Sequence, residues 1–211
     1  MRKAWYTAKL IVSLIWISVR PNATNAAFAI ADCLLKLGLI QKEVEHLRQS
    51  SDARAAIDGR HLISELRLEE LRTFPEGSLA REFAERMIRE NLQPDFYDKL
   101  EIKNDETFVM MRLRQTHDLW HTLTGFGSSV ADELGLQAFV MAQCQSPLSP
   151  LLIGGRLAVT ALSNPTMAGE IVSKVSRGWT MGENAKPIFA LDWEKYWDRP
   201  LTEVRAEYGI A

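Results

Sequence analysis

No part of this 211-residue chain alternates apolar and polar residues long enough to make a half-buried strand, and that narrows its fold more than any other feature. Apolar stripes at helical spacing stand in place of strands, cut by prolines and glycines. Pro21 separates two helical patterns, the second running from Thr24 to Leu37 and closing at Gly38. Residues 52–71 read as helix despite Gly59. Pro75 and Gly77 then break the chain, Ser78 caps, and Leu79, Phe83, Met87 and Ile88 form the next stripe. Pro94 breaks it again. A long helix starts behind Asn104 or Asp105 and ends at Gly125 or Gly127, and another covers residues 129–143. Pro147 and Pro150 open the apolar stretch LLIGGRLAVTALS, and Asn164-Pro165 is a cap followed by proline at the first helical position. Pro200 precedes a last short helix. The reading is an all-α chain, a single helical-bundle domain over residues 1–211.

A hydrophobic share of 46% and a charged share of 25% are globular proportions, and the length suits one domain. The net charge of −2 supplies no basic field, and no nucleic-acid motif is present, so nucleic acid is excluded as a partner. Cys33 and Cys144 lie far apart in no metal-binding spacing and read as two buried free thiols in a reducing compartment.

The first thirty residues carry Arg2, Lys3, Lys9 and Arg20 and no acid before Asp32. Their apolar core, Leu10 to Val19, is too short to span a bilayer. A cleaved secretory leader or an acid-free transit peptide would share this order of residues. The apolar pattern runs on past Pro21 without a polar break, which favours a retained helix, part core and part membrane-facing. Trp5, Tyr6 and Trp16 beside the cations suit an interfacial helix, or equally the rim of a helix–helix contact.

The chemistry concentrates in RLRQTHDLWHTLTGFGSSVADELG, residues 112–135, which holds two of the four histidines. At about 100° per residue from His117, His121 falls near 40°, Arg114 near 60°, Gly125 near 80° and Asp118 near 100°. One helix face thus presents two imidazoles, a carboxylate and a guanidinium. Val109, Met111, Leu113, Leu119, Trp120 and Leu123 cover much of the remainder, so the helix belongs in the interior. Ionisable groups there must be paired, shifted in protonation, or bound to a metal. Histidines at i and i+4 reach one ion, the logic of the H-E-x-x-H helix with aspartate in place of glutamate. The shorter Asp118 either ligates or orients. Glu133 lies roughly 18 Å from His121 along a continuous helix, so it joins only if the chain turns back at Gly125 or Gly127. Otherwise Asp132 and Glu133 are first-turn carboxylates favoured by a helix dipole.

His117, Asp118, His121 and Glu133 together spell H-D-x-x-H, eleven residues, then E. This resembles the signature of the coenzyme Q biosynthesis proteins conventionally numbered four. RLRQTHDLWHTLTG is similar to that family's approach to the motif, PEGSLAREFAERMIRENLQPD to its upstream Gly-Ser-Leu segment, and WEKYWDRPLTEVRAEYGI to its closing pattern. The likeness is clear over residues 75–211 and much weaker before them. It implies an all-helical, membrane-peripheral protein of ubiquinone synthesis. The implied location is the cytoplasmic side of the membrane in a prokaryote, or the matrix side of the mitochondrial inner membrane in a eukaryote. It further implies a divalent metal on the four motif residues, usually zinc, with magnesium, manganese or iron as alternatives. The family organises other quinone-biosynthesis enzymes and has been linked to oxidative decarboxylation at C1 of the polyprenylated ring.

Several roles stay open on these residues. A long apolar groove would hold a polyprenyl lipid, with Gly154 and Gly155 in its wall or, alternatively, packing against another helix. Arg114 would neutralise a head group or pair with Asp118. Asp118 is the candidate catalytic residue if the metal is catalytic; a closed structural site on a scaffold is the competing reading. A hydrolase is the remotest reading. Self-association as a dimer is expected.

Overall fold

The computed structural model describes residues 2–20, 23–94, 97 and 99–210, and Pro21, the expected break, falls outside them. Among the described residues eleven α-helices and a single 3₁₀ turn are formed. Among the described residues the only extended pairing is an isolated antiparallel bridge between Ser78 and Pro200. The all-α expectation holds. Within it the chain forms two compact units, each assembled from segments far apart in sequence, with boundaries at Leu47/Arg48, Phe126/Gly127 and Glu183/Asn184.

The first unit holds α1 (Arg2–Val19), α2 (Thr24–Lys36), α3 (Gln41–Leu47), α8 (Val130–Cys144), α9 (Leu148–Ser163) and nearly all of α10 (Pro165–Asn184). Small residues set its helix contacts. A Cβ on Gly178 of α10 would come within 1.9 Å of the Gly135 carbonyl of α8, and one on Gly182 within 2.8 Å of the Ala142 Cβ. Only glycine lets these two backbones approach so closely. A Cβ on Gly155 of α9 would likewise lie 2.4 Å from the Ser18 hydroxyl of α1. Next to it, Arg156 donates to the Ser18 carbonyl at 2.8 Å, satisfying one of the acceptors that the end of α1 leaves over. The short α3 buries Glu43 along with Val44 and Leu47. Burial pushes the Glu43 carboxyl up to about 8, opposed by a hydrogen bond from the Ser146 hydroxyl. Both cysteines belong to this unit and are buried and free, their thiols raised by desolvation.

The second unit holds α4 (Ser51–Asp58), α5 (Leu68–Leu71), α6 (Leu79–Arg89), α7 (Asp105–Thr124), the 3₁₀ turn Trp193–Tyr196 and α11 (Leu201–Tyr208). Ser78 caps α6 as expected, and the carbonyls of Arg199 and Trp197 accept from the Leu79 and Ala80 amides. Leu79, Phe83 and Met87 are buried, but Ile88 is half exposed, so the stripe runs through Ala80 and Ala84 instead.

The single helix expected over 52–71 is not formed. Helix α4 stops at Gly59, and Arg60 takes the left-handed conformation (φ 51°). The His61 amide returns to the Ala56 carbonyl and the Arg60 amide to that of Ile57, a Schellman closure with arginine where glycine is usual. The Arg60 guanidinium offsets the strain by binding the Ile57 carbonyl and Asp105, each at 2.7 Å. Beyond it the chain runs extended, and α7 supplies its partners. Gln115 accepts from the Ile63 amide at 3.1 Å and donates to the Ile63 carbonyl at 3.2 Å. Arg112, only 3% exposed, donates to the carbonyls of His61, Phe189 and Leu191. Desolvation lowers its pKa, and Glu194 and Asp192 oppose that shift.

Candidate metal centre

Helix α7 is fastened at both ends. Asn104 and Thr107 form a reciprocal capping box, and Arg48 and Arg60 hold Asp105 in the first turn. At the other end Gly125 adopts φ 73° and its amide returns to the His121 carbonyl. Arg205 of α11 donates to the carbonyls of Leu123 and Thr122 at 2.8 and 2.9 Å, a cation placed at the negative end of the helix dipole. Between these ends α7 is buried on most of its circumference. The hydroxyls of Thr116, Thr122 and Thr124 bond back to the carbonyls of Arg112, Asp118 and Trp120, so none enters the interior unsatisfied.

On this helix the side chains of His117, Asp118 and His121 meet, their ligand atoms all within 4.8 Å of one another. The two imidazole centroids are 4.8 Å apart and the rings nearly perpendicular, at 85°. Donors around a tetrahedral ion with bonds near 2 Å stand roughly 3.3 Å apart, so rotamer adjustments that close separations by up to about 1.5 Å would bring the cluster onto one. His121 is 3% exposed, while His117 and Asp118 are half-buried. The Nδ1 of His121 lies 3.0 Å from the Phe126 carbonyl oxygen. A carbonyl can only accept, so Nδ1 is the donor, and Nε2 is the nitrogen left to face a ligand. Metal-ligating histidines are oriented in this manner.

The turn at Gly125 therefore does something the sequence did not suggest: it aims a backbone carbonyl at a histidine ring. Arg86 of α6 was also missed. It is buried, paired with Glu90 at 3.0 Å, and donates to the Asp118 main-chain carbonyl at 3.3 Å. The (i, i+4) spacing of Arg86 and Glu90 was the available signal; their reach to α7 was not.

The fourth motif residue, Glu133, lies in the first turn of α8. It accepts from Gln137, which in turn accepts from Ser149. Its neighbour Asp132 accepts from the Ser129 hydroxyl and binds Lys174 at 2.6 Å, so that carboxylate serves the helix start. Arg114 is half-buried one turn before Asp118 on α7. Of the two glycines expected to wall a groove, Gly155 is taken up by α1, whereas the space beside Gly154 is open.

An all-helical protein with two histidines and an aspartate converging on a buried helix is a candidate carrier of a divalent ion, and the donor set fits one. Two imidazoles and a carboxylate suit zinc, manganese or iron, and the fixed His121 tautomer leaves the correct nitrogen available. The family model described as coenzyme Q (ubiquinone) biosynthesis protein Coq4 matches residues 9–211, and the chain belongs to that family. The match takes in most of the amino-terminal residues that the motif comparison left weak.

Among its relatives is the mitochondrial ubiquinone biosynthesis protein coq4 of Talaromyces stipitatus, 31% identical over 149 residues, covering 69% of this chain and 50% of the relative. The mitochondrial COQ4 homolog of Rattus norvegicus is 29% identical over 154 residues, covering 71% and 56%. The chain thus spans about half the length of these relatives. A crystal structure of a candidate ubiquinone biosynthesis protein from Nostoc punctiforme superposes with a TM-score of 0.86. It is 28% identical, covering 97% of this chain and 98% of that one.

Proposed function

We propose that this chain acts in the biosynthesis of ubiquinone or a related prenyl-quinone, holding a divalent metal through His117, Asp118 and His121 at the head of a polyprenylated precursor. The observation that carries this reading is the His121–Phe126 hydrogen bond, which prepares one imidazole for a ligand on a helix whose polar face is otherwise costly to bury. The family and the relatives' names supply the pathway. When bound, the ion supplies Lewis acidity toward a ring or carboxylate oxygen; a C1 oxidative decarboxylation would further require a redox-active ion, since zinc takes no electrons. This chain's own groups do the rest. His121 and Asp118 orient the ion, and Arg114 on the same face meets the head group's negative charge. Glu133 is the family's fourth motif residue, and its part is tested separately. The polyprenyl tail, contact with other quinone-modifying enzymes, dimerisation and residence on a membrane surface belong to the same proposal.

The test is rescue of quinone synthesis in a strain lacking its own family member, read with metal content and co-purified lipid. His117→Ala and His121→Ala should each abolish rescue and metal while the helical circular dichroism persists. Full rescue by a metal-free His117→Ala variant would overturn the assignment. Asp118→Ala separates the alternatives: lost quinone synthesis with an unchanged melting temperature marks a working metal, and a lowered melting temperature marks a structural one.

A further inference from the structure

Helix α1 carries apolar side chains on both its inward and its outward face. Its inward stripe is Tyr6, Leu10, Ser13, Leu14, Ile17 and Ser18, with the two serines among the more enclosed positions. A second set of large apolar side chains points to solvent. Trp5, Ile11, Val12, Ile15, Trp16 and Val19 are between 47% and 65% exposed. At 100° per residue these six, with Ala4 and Ala8, fill a continuous arc about 140° wide. Lys9, Arg2 and Arg20 follow on one border of that arc, within about 40° of Trp16. The Arg20 guanidinium lies 4.2 Å from the Trp16 ring centre and the Lys9 ammonium 5.5 Å from that of Trp5. No acid occurs anywhere in the helix.

We infer that the solvent-facing arc of α1 is a docking surface for an anionic lipid bilayer, in which the helix lies in the plane of the interface. An apolar arc with indoles at its edge and cations alongside matches the layering of acyl chains, interface and phosphate headgroups. Charge selects this occupant over a second copy of the chain. An isologous α1–α1 contact would bring Arg2, Lys9 and Arg20 of both copies to one seam with no acid on either α1 to offset them, whereas anionic headgroups neutralise them. Each cation beside an anionic leaflet raises partitioning about fivefold. Among the described residues no helix is long and apolar enough to cross a membrane, consistent with α1 lying flat. The inference deepens the membrane placement proposed above by naming the surface, and it is independent of the metal.

The experiment is flotation of the full chain with vesicles of pure phosphatidylcholine and of equal parts phosphatidylcholine and phosphatidylglycerol, with brominated lipid as a quencher of tryptophan emission. Binding should be strong only to the anionic vesicles and fall with added salt, and the quenching should vanish in a Trp5→Phe, Trp16→Phe variant. Val12→Glu with Ile15→Glu, both at solvent-exposed positions, should keep the unaltered melting temperature and weaken binding at least about a hundredfold. Lys9→Glu with Arg20→Glu, a milder change on the border, should erase the preference for anionic vesicles. Binding unchanged in Val12→Glu, Ile15→Glu would overturn the docking face while leaving membrane residence standing. An unaltered chain that ignores anionic vesicles would overturn both. A Val12→Glu, Ile15→Glu variant that turns a dimer into a monomer with binding intact would give the face to a second copy.

Discussion

Replacing Glu43 by glutamine should stabilise the protein, by an amount that depends on pH in a way few other substitutions would imitate. The Glu43 side chain is 1% exposed, and its Oε1 has no hydrogen-bond partner. Burial raises its carboxyl from 4.5 to about 8. Between those values the unfolded chain has released the proton while the folded chain retains it, so stability falls as pH rises, by about 1.4 kcal/mol per unit. Below the lower value both states are protonated and above the upper one both are ionised, so the slope vanishes outside the window. At pH 7 the accumulated penalty is about 3 kcal/mol, from which an unpaired glutamine N–H would take back about 1–2 kcal/mol. Urea denaturation of the unaltered chain and Glu43→Gln at pH 5, 7 and 9 reads this directly. The gap between the two should widen from pH 5 to pH 8 and then level off. Parallel stabilities across the whole range would refute the reasoning, because they would mean that Glu43 ionises in the folded protein as it does in water.

Other outcomes follow from single contacts. Arg112→Met should lower the unfolding free energy by about 3–5 kcal/mol, since three buried carbonyls lose their donor together, and Arg112→Lys should not restore it. Gly178→Ala should destabilise by about 3 kcal/mol or more, because the new Cβ would meet the Gly135 carbonyl at 1.9 Å. Gly154→Ala, facing open space within a helix, should gain about 0.5–1 kcal/mol, all these variants being read by urea denaturation against the unaltered chain. Gly125→Ala, strained at φ 73°, should displace the Phe126 carbonyl and weaken metal binding roughly tenfold by competition against a chelator.

Much of this fold was legible because its helices end on local chemistry. Asn104, Ser78, Ser129 and Asn164 each accept from an amide three residues on, and Gly38, Gly125 and Gly209 close helices with positive φ. The sequence misled where distant residues decide. Arg60 occupies a position that ordinarily signals itself with glycine, and what holds it there is Asp105. The extended run after it is stabilised by Gln115, Arg112 and Glu194, none a neighbour in sequence. Helix α3 was missed because seven residues with a buried glutamate carry almost no stripe. The sequence left Trp5, Tyr6 and Trp16 of α1 as either an interfacial set or the rim of a helix–helix contact, and Ser18 packed against Gly155 of α9 fixes which face of the helix looks inward. The candidate site was legible through the (i, i+4) histidines and the aspartate between them. The carbonyl that orients His121 was not, since any residue supplies one.

Whether α7 holds a metal is decided by elemental analysis, by plasma mass spectrometry, of the chain purified without chelators. About one divalent ion per chain is expected, lost in His117→Ala and in His121→Ala, with Glu133→Gln showing whether that residue belongs to the ligand set. A metal-free chain that also fails to take up zinc, manganese or iron at neutral pH, or a His121→Ala variant that retains its ion, would contradict the account.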